Sequence, residues 1–237
     1  MNYIVNKVTN NVFAFITNKK FKSNVYLIVG SKEYILIDTG WAGTYKEIFS
    51  LMNSIDLDIS LIKRILITHG DGDHVGNVKY IASRLESRVY ASEETAKLLS
   101  IPKSPKHYKF PLNIFVNLGF KIQIKNYIVD YIIKEEELTF DSIKIKVVDS
   151  PGHCDGHLGF YLIKEKVLFS GDALNNIDKL SVSSKELNLD NSTALTSARK
   201  LLKNKPFFIC PGHGNVFKHK KNPDKISELI ELIDKGL

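Results

Sequence analysis

Four side chains able to bind a cation, His69, Asp71, Asp73 and His74, fall within the stretch Thr68-His69-Gly70-Asp71-Gly72-Asp73-His74. Neutral imidazole and carboxylate are the usual ligands of hydrolytic zinc, iron or manganese. The apolar run Ile65 to Ile67 ahead of them reads as a buried strand, and Val75, Val78, Ile81, Ala82 and Leu85 behind them recur at helical spacing. Gly70 and Gly72 are expected to let the chain turn tightly, so that the ligands converge. Taken alone, the cluster is either a cation site or a polar loop whose Asp73 caps the following helix.

The elements that must position these groups show the same arrangement elsewhere. Tyr34-Ile35-Leu36-Ile37 runs into Asp38-Thr39-Gly40, and Ile143 to Val148 runs into Asp149-Ser150-Pro151-Gly152-His153. Val167-Leu168-Phe169 ends in Ser170-Gly171-Asp172, and Phe207 to Cys210 in Pro211-Gly212-His213-Gly214. Strand ends along one sheet edge can meet in space although distant in sequence, and four of the seven histidines sit at these points. Seven candidate ligands, His69, Asp71, Asp73, His74, His153, Asp172 and His213, exceed the need of one ion and suit two bridged by a carboxylate.

Further strands are expected at Val12–Ile16, Val25–Val29, Arg88–Ala91 and Gly159–Ile163. Helices are expected around Tyr45 to Met52, to about Leu85, over Glu93–Leu99, from about Ser192 to Leu202, and over Pro223–Leu232. Residues 101 to 137 differ, with three of the seven prolines, the aromatics Tyr108, Phe110, Phe115, Phe120, Tyr127 and Tyr131, and poor periodicity. That stretch reads as an aromatic-rich insertion, either a lid or partner surface or a long loop over ordinary core packing. His107, Tyr108, Tyr127 and Tyr131 are its candidates for lining a substrate.

With 237 residues, 43% of them hydrophobic, the chain can bury a full core, and the reading is one domain over 1–237. No apolar run is long enough to span a membrane, and the first residues lack the order of a secretory signal. Two cysteines, Cys154 and Cys210, imply no disulfide framework, so a cytoplasmic location is expected. The net charge of +7 gathers in clusters such as Lys19-Lys20-Phe21-Lys22 and Lys218-His219-Lys220-Lys221. Lysine greatly outnumbers arginine, which favours solvated faces and makes nucleic acid the weaker expectation for a partner.

Asp38-Thr39-Gly40, Thr68-His69-x-Asp71-x-Asp73-His74, Pro151-Gly152-His153, Ser170-Gly171-Asp172 and Pro211-Gly212-His213-Gly214 together resemble the five motifs of the metallo-β-lactamase superfamily, in order over residues 12 to 233. The resemblance implies an α/β (α+β) fold: a four-layer αβ/βα sandwich of two mixed β-sheets flanked by helices, with a metal site at one edge. By motif position it implies one metal held by His69, residue 71 and His153, a second held by Asp73, His74 and His213, and Asp172 as the bridge. Asp38 would orient ligands. One position departs from the pattern: the usual His-x-His-x-Asp-His has Asp71 at its second His. An oxygen ligand with added negative charge favours iron or manganese relative to zinc, or leaves the first site weak. Similar carboxylate variants occur in flavodiiron proteins and in competence-type DNA-uptake nuclease domains.

The chemistry expected of two divalent ions is attack by a metal-bound hydroxide, with Asp73 as the catalytic group that orients the nucleophile or shuttles its proton. The expected substrate is an ester, thioester or lactone in a small, partly apolar molecule, given the aromatic insertion. A phosphodiesterase or nuclease is the alternative, and a di-iron redox protein the third. His157 is expected to be a packed or solvated turn histidine rather than a leaving-group acid, and Cys154 an inert buried thiol. A homodimer is open.

Overall fold

The computed structural model describes residues 3–17, 23–101, 103, 106–108, 112–219 and 223–235. Lys19–Lys22, Lys220, Lys221 and Phe110, singled out above, lie outside the described residues. In the N-terminal half, β1 (Tyr3–Lys7), β2 (Val12–Thr17), β3 (Val25–Val29), β4 (Tyr34–Ile37), β5 (Ile62–Leu66), β6 (Arg88–Ala91) and β7 (Tyr131–Ile132) form a sheet in sequence order. The first four pair antiparallel. From β4 onward the pairing is parallel, because helices carry the chain back between strands. Those helices are α1 (Tyr45–Asn53), α2 (Gly72–Val75), α3 (Val78–Leu85), α4 (Glu93–Ser100) and α5 (Leu112–Gln123).

The second sheet uses β8 (Glu137–Phe140), β9 (Ile143–Asp149), β10 (Leu158–Leu162) and β11 (Val167–Gly171). A small hairpin of β12 (Leu174–Asn176) and β13 (Leu180–Val182) follows. After α6 (Asn191–Leu202) come β14 (Phe208–Pro211), β15 (Phe217–Lys218) and α7 (Pro223–Asp234). The sheet order is β15-β14-β11-β10-β9-β8, with β11 and β14 parallel and the remaining pairs antiparallel.

Alternation along the strands explains the layers. Tyr26, Ile28, Ile35 and Ile37 point between the sheets, where they meet Ile145, Val147, Phe160, Leu162 and Phe169. Their neighbours Leu27 and Leu36 point the other way, onto Ile48 and Met52 of α1 and Ile81 of α3. On the far side Val148, Leu168 and Ile209 meet Ala198 and Leu201 of α6 and Ile226 and Leu229 of α7. Both faces of each sheet are therefore covered, which is why β4 and β10 are buried throughout. Each large side chain wholly removed from water, such as Phe160, contributes about 1.5–3 kcal/mol. The result is the expected α/β fold, two mixed sheets face to face with helices outside.

The stretch 101–137, expected to be irregular, contains the twelve-residue α5 and strand β7. The tight turn expected of Gly70 and Gly72 is made differently: neither adopts a positive φ, and Gly72 simply opens α2. Among the described residues no helix is long and apolar enough to cross a membrane.

Candidate metal centre

Asp38 and Asp172 directly follow β4 and β11, Thr68 and His213 stand two residues past the ends of β5 and β14, and His153 stands in the turn after β9. The two sheets are tied at this edge by main-chain bonds: Leu158 N–H donates to Thr68 O (2.8 Å) and Asn24 N–H to Gly212 O (2.7 Å). The Tyr26 hydroxyl donates to Pro211 O at 2.6 Å, and the Asn24 amide to Gly214 O at 2.7 Å. Buried polar groups in this seam are thus paired, and the loop bearing His213 is fixed against the first sheet.

Three groups of side chains converge so that their ligand atoms lie within 4.8 Å of one another: His69, Asp71 and His153; His69, His74 and Asp172; and Asp73, His74 and His213. Asp172 spans the groups, with Oδ1 3.3 Å from His74 Nε2 and Oδ2 3.3 Å from His213 Nε2 and 3.8 Å from His153 Nε2. Asp73 Oδ2 lies 3.4 Å from His213 Nε2. All seven sequence candidates are therefore brought together. The capping alternative fails: Asp73 lies inside α2, whose N-cap is Asp71 with no side-chain capping bond, and the N-cap of α3 is Asn77.

The histidines are oriented from behind. Asp38 accepts Thr68 N–H and the Thr68 hydroxyl, each at 2.8 Å, and stands 2.8 Å from His74 Nδ1. With its hydroxyl proton given to Asp38, Thr68 Oγ1 can only accept from His69 Nδ1, 3.0 Å away. Both rings thus keep their Nδ1 proton and turn Nε2 into the site. His69 Nε2, His74 Nε2, Asp71 Oδ1 and Asp172 Oδ1 are buried and make no hydrogen bond. Orphaned buried lone pairs of this kind are rare, and a cation is the partner that four of them together would suit. Asp38 holds this position at φ 58°, a conformation Asp tolerates better than most residues.

Among the protein groups alone the charges balance by protonation. Burial works to lower the His74 and His213 pKa values, but the surrounding carboxylates, Asp172 first, outweigh it. His74 is held well above its ordinary value and His213 at about 9. Asp172 stays ionised despite its burial because His213 and His74 face it. Burial raises Asp73 to about 6 and lowers His69 to about 4.

His157 is a packed residue, as expected. It is fully buried, its Nε2 accepts Asp172 N–H at 3.1 Å, and Nδ1 therefore donates to Ser150 Oγ at 2.8 Å. Burial holds its pKa well below 6.5, and the ring stays neutral. Cys154 is likewise buried, with its thiol pKa pushed well up by that burial. Of the candidate lining residues, His107 and Tyr108 reach the site: the Tyr108 hydroxyl donates to Asp71 Oδ2 at 3.0 Å, and His107 Nε2 is 3.3 Å from the same oxygen. Tyr127 and Tyr131 do not. Tyr127 donates to Asp130 (2.8 Å), and Tyr131 stacks on Tyr90 at the sheet edge. Sequence reasoning also missed Asn77, whose amide donates to Thr39 O (2.7 Å) and Trp41 O (2.8 Å), pinning the loop after Asp38 beneath His74.

The model of the metallo-β-lactamase superfamily matches residues 19–213, most of the chain. The chain belongs to the metallo-β-lactamase superfamily. "Beta-lactamase-like protein 2 homolog" of Caenorhabditis elegans is 28% identical over 88% of this chain, which spans only 61% of that protein's length. "Hydroxyacylglutathione hydrolase GloC" of Haemophilus influenzae is 28% identical over 82% of this chain and 87% of its own. The metallo-β-lactamase from Pontibacter korlensis superposes with a TM-score of 0.72 over 98% of this chain and 99% of its own, at 18% identity, and shows the shared fold. Superfamily members typically bind divalent metals, and the three clusters supply suitable donors for one.

Proposed function

We propose that the chain is a metal-dependent hydrolase that cleaves an ester, thioester or lactone bond in a small, partly apolar substrate. The observation that carries this reading is the convergence of His69, Asp71 and His153 beside Asp73, His74 and His213, with Asp172 between them. Two divalent ions would be held by these two sets, with Asp172 as the shared ligand; zinc, iron and manganese all suit such donors. Ions so held supply Lewis acidity and a hydroxide nucleophile at neutral pH.

The protein's own groups do the rest. Asp73 places a buried carboxylate among these ligands, suited to take a proton and pass it to the leaving group. Tyr108 keeps its proton, since burial and then the facing Asp71 push its pKa far up, and it fixes one oxygen of Asp71. The similarity to a hydroxyacylglutathione hydrolase, whose named substrate is an acyl thioester, favours carboxylic-acid derivatives over phosphodiesters. The exposed Ile114 and Leu118 on α5, the helix following Tyr108, favour an apolar acyl group. Both cysteines are free and buried, which suits the reducing cytoplasm.

The test is a panel of an acyl-glutathione thioester, an aryl ester, an acyl lactone and an aryl phosphodiester, run with protein loaded with zinc, iron or manganese. Turnover of the carboxyl compounds, abolished by chelation and lowered about 10²–10⁴-fold by Asp73→Asn, is expected. Turnover of the phosphodiester alone, or activity indifferent to chelation, overturns the reading.

A further inference from the structure

The departure at Asp71 leaves the first cluster with two imidazoles, His69 and His153. The structure brings a third histidine to that place from another part of the chain. His107 lies in the turn before α5, yet it is buried to 3% exposure. Its Nε2 is 3.3 Å from Asp71 Oδ2, the oxygen that also faces His69 Nε2 at 3.6 Å and His153 Nε2 at 3.4 Å. Its ring packs 4.6 Å from that of His153 and 4.1 Å from that of Tyr108. Neither ring nitrogen of His107 makes a hydrogen bond.

A buried imidazole with both nitrogens unspent is costly unless something takes a lone pair. A core histidine packed for shape alone would be expected to bond a carbonyl or hydroxyl, as His157 does with Ser150. His107 instead aims Nε2 at the carboxylate around which His69 and His153 gather. We propose that His107 is a ligand of the first metal site, supplying from the 101–137 segment the imidazole that position 71 lacks. This rests on the metal-centre reading given under the proposed function. The resulting set, His69, Asp71, His107 and His153, has three nitrogens and one carboxylate and, with Asp172 as the shared ligand, gives five protein donors, more than a tetrahedral site takes and suited to a five- or six-coordinate ion. Asp71 then adds a negative charge to the site without reducing its nitrogen count.

The experiment uses cobalt(II) as the probe, titrated into chelator-treated full-length protein of four kinds: the parent, His107→Ala, His107→Asn, and His107→Ala combined with Asp71→His. Affinity is read by competition with a chromophoric chelator, and the ligands by the absorption bands of cobalt and its paramagnetically shifted imidazole N–H resonances. Both His107 variants should lose one shifted resonance and bind the first cobalt equivalent at least about tenfold more weakly, with the second-site affinity unchanged as an internal check on folding. The added Asp71→His should restore the affinity. An unchanged resonance count and spectrum in both His107 variants overturns the proposal, even if affinity falls, because His107 then acts only by positioning Asp71. A parent protein that binds no cobalt at all overturns the metal-centre reading itself, a result separable from the first.

Discussion

Replacing Asp38 by Asn tests whether the residues behind the site determine what the site can hold. Asn keeps the size and tolerates the φ of 58°, so the loop should stay in place. Its oxygen can still accept Thr68 N–H where Asp38 Oδ1 does so at 2.8 Å. Its NH₂, however, comes to the position of Oδ2, 2.8 Å from His74 Nδ1. Two N–H donors cannot face each other there, so the ring must keep its proton on Nε2 and turn a lone pair toward the amide. Nε2 is the atom that faces Asp172 at 3.3 Å. A cation must then displace that proton and restore a donor–donor clash. Loss of such an orienting carboxylate typically costs 10–100-fold in metal affinity, or about 1.4–2.8 kcal/mol. The chelator-treated protein should lose about 1–3 kcal/mol for the bonds left imperfect around Thr68 and His74. Chelator competition gives the first number and urea unfolding the second. A variant that binds zinc within twofold of the parent would refute the argument, since Asp38 would then have no hold on the His74 tautomer.

Two further substitutions probe the same edge. A methyl group added at Gly212 would fall on Asp172 Oδ1 and come 3.0 Å from the His74 ring. Gly212→Ala should therefore abolish metal-dependent activity and lower metal stoichiometry, while Gly119→Ala, whose added methyl meets nothing within 4 Å, should leave both unchanged; equal metal content in the two variants would count against Asp172 as a ligand. His157→Leu removes the acceptor of Asp172 N–H and the donor to Ser150, and should cost about 1–3 kcal/mol for each group left buried and unpaired. Because the native His157 pKa is depressed, the unfolded chain binds the extra proton: its contribution is full above pH 6.5 and is lost as pH falls below it. The stability gap between parent and variant, measured by urea unfolding of chelator-treated protein, should thus be widest above pH 6.5 and shrink toward pH 5; a gap that is constant with pH would show that His157 is not held neutral.

The parts of this architecture that were legible in the sequence are those where local pattern and tertiary role coincide. The candidate ligands follow β5, β9, β11 and β14, where a largely apolar strand gives way to Gly, Asp and His and so marks its own end, even though β5 and β9 keep partly exposed positions. β1 was not read because Ile4, Asn6 and Lys7 leave it half exposed at the sheet edge, with too little alternation to signal a strand. α5 was missed because it follows a stretch holding Pro102, Pro105 and Pro111, whose turn signals outweighed the polar stripe of Asn113, Asn117 and Lys121. β12 and β13 are three residues each and depend on their pairing rather than on composition. At the site, the contact of His107 with Asp71 spans 36 residues and arises from a turn, not a strand end. The clue available was chemical: an Asp where the pattern has His invites a search for a compensating imidazole elsewhere.

The division of the candidate ligands between the two sheets also bears on how the protein is made. His69, Asp71, Asp73 and His74 belong to the first sheet, whereas His153, Asp172 and His213 come from the second. His213 is synthesised 139 residues after His74. At roughly 5–20 residues per second, a nascent chain would carry the first half-set for about 7–28 s before the last of the other half exists. During that interval His69 to His74 are accessible to any ion present but lack the partners that would retain it. Selection of the metal is therefore deferred until the sheets dock, and the ion bound is decided by the finished seam and the ions present then.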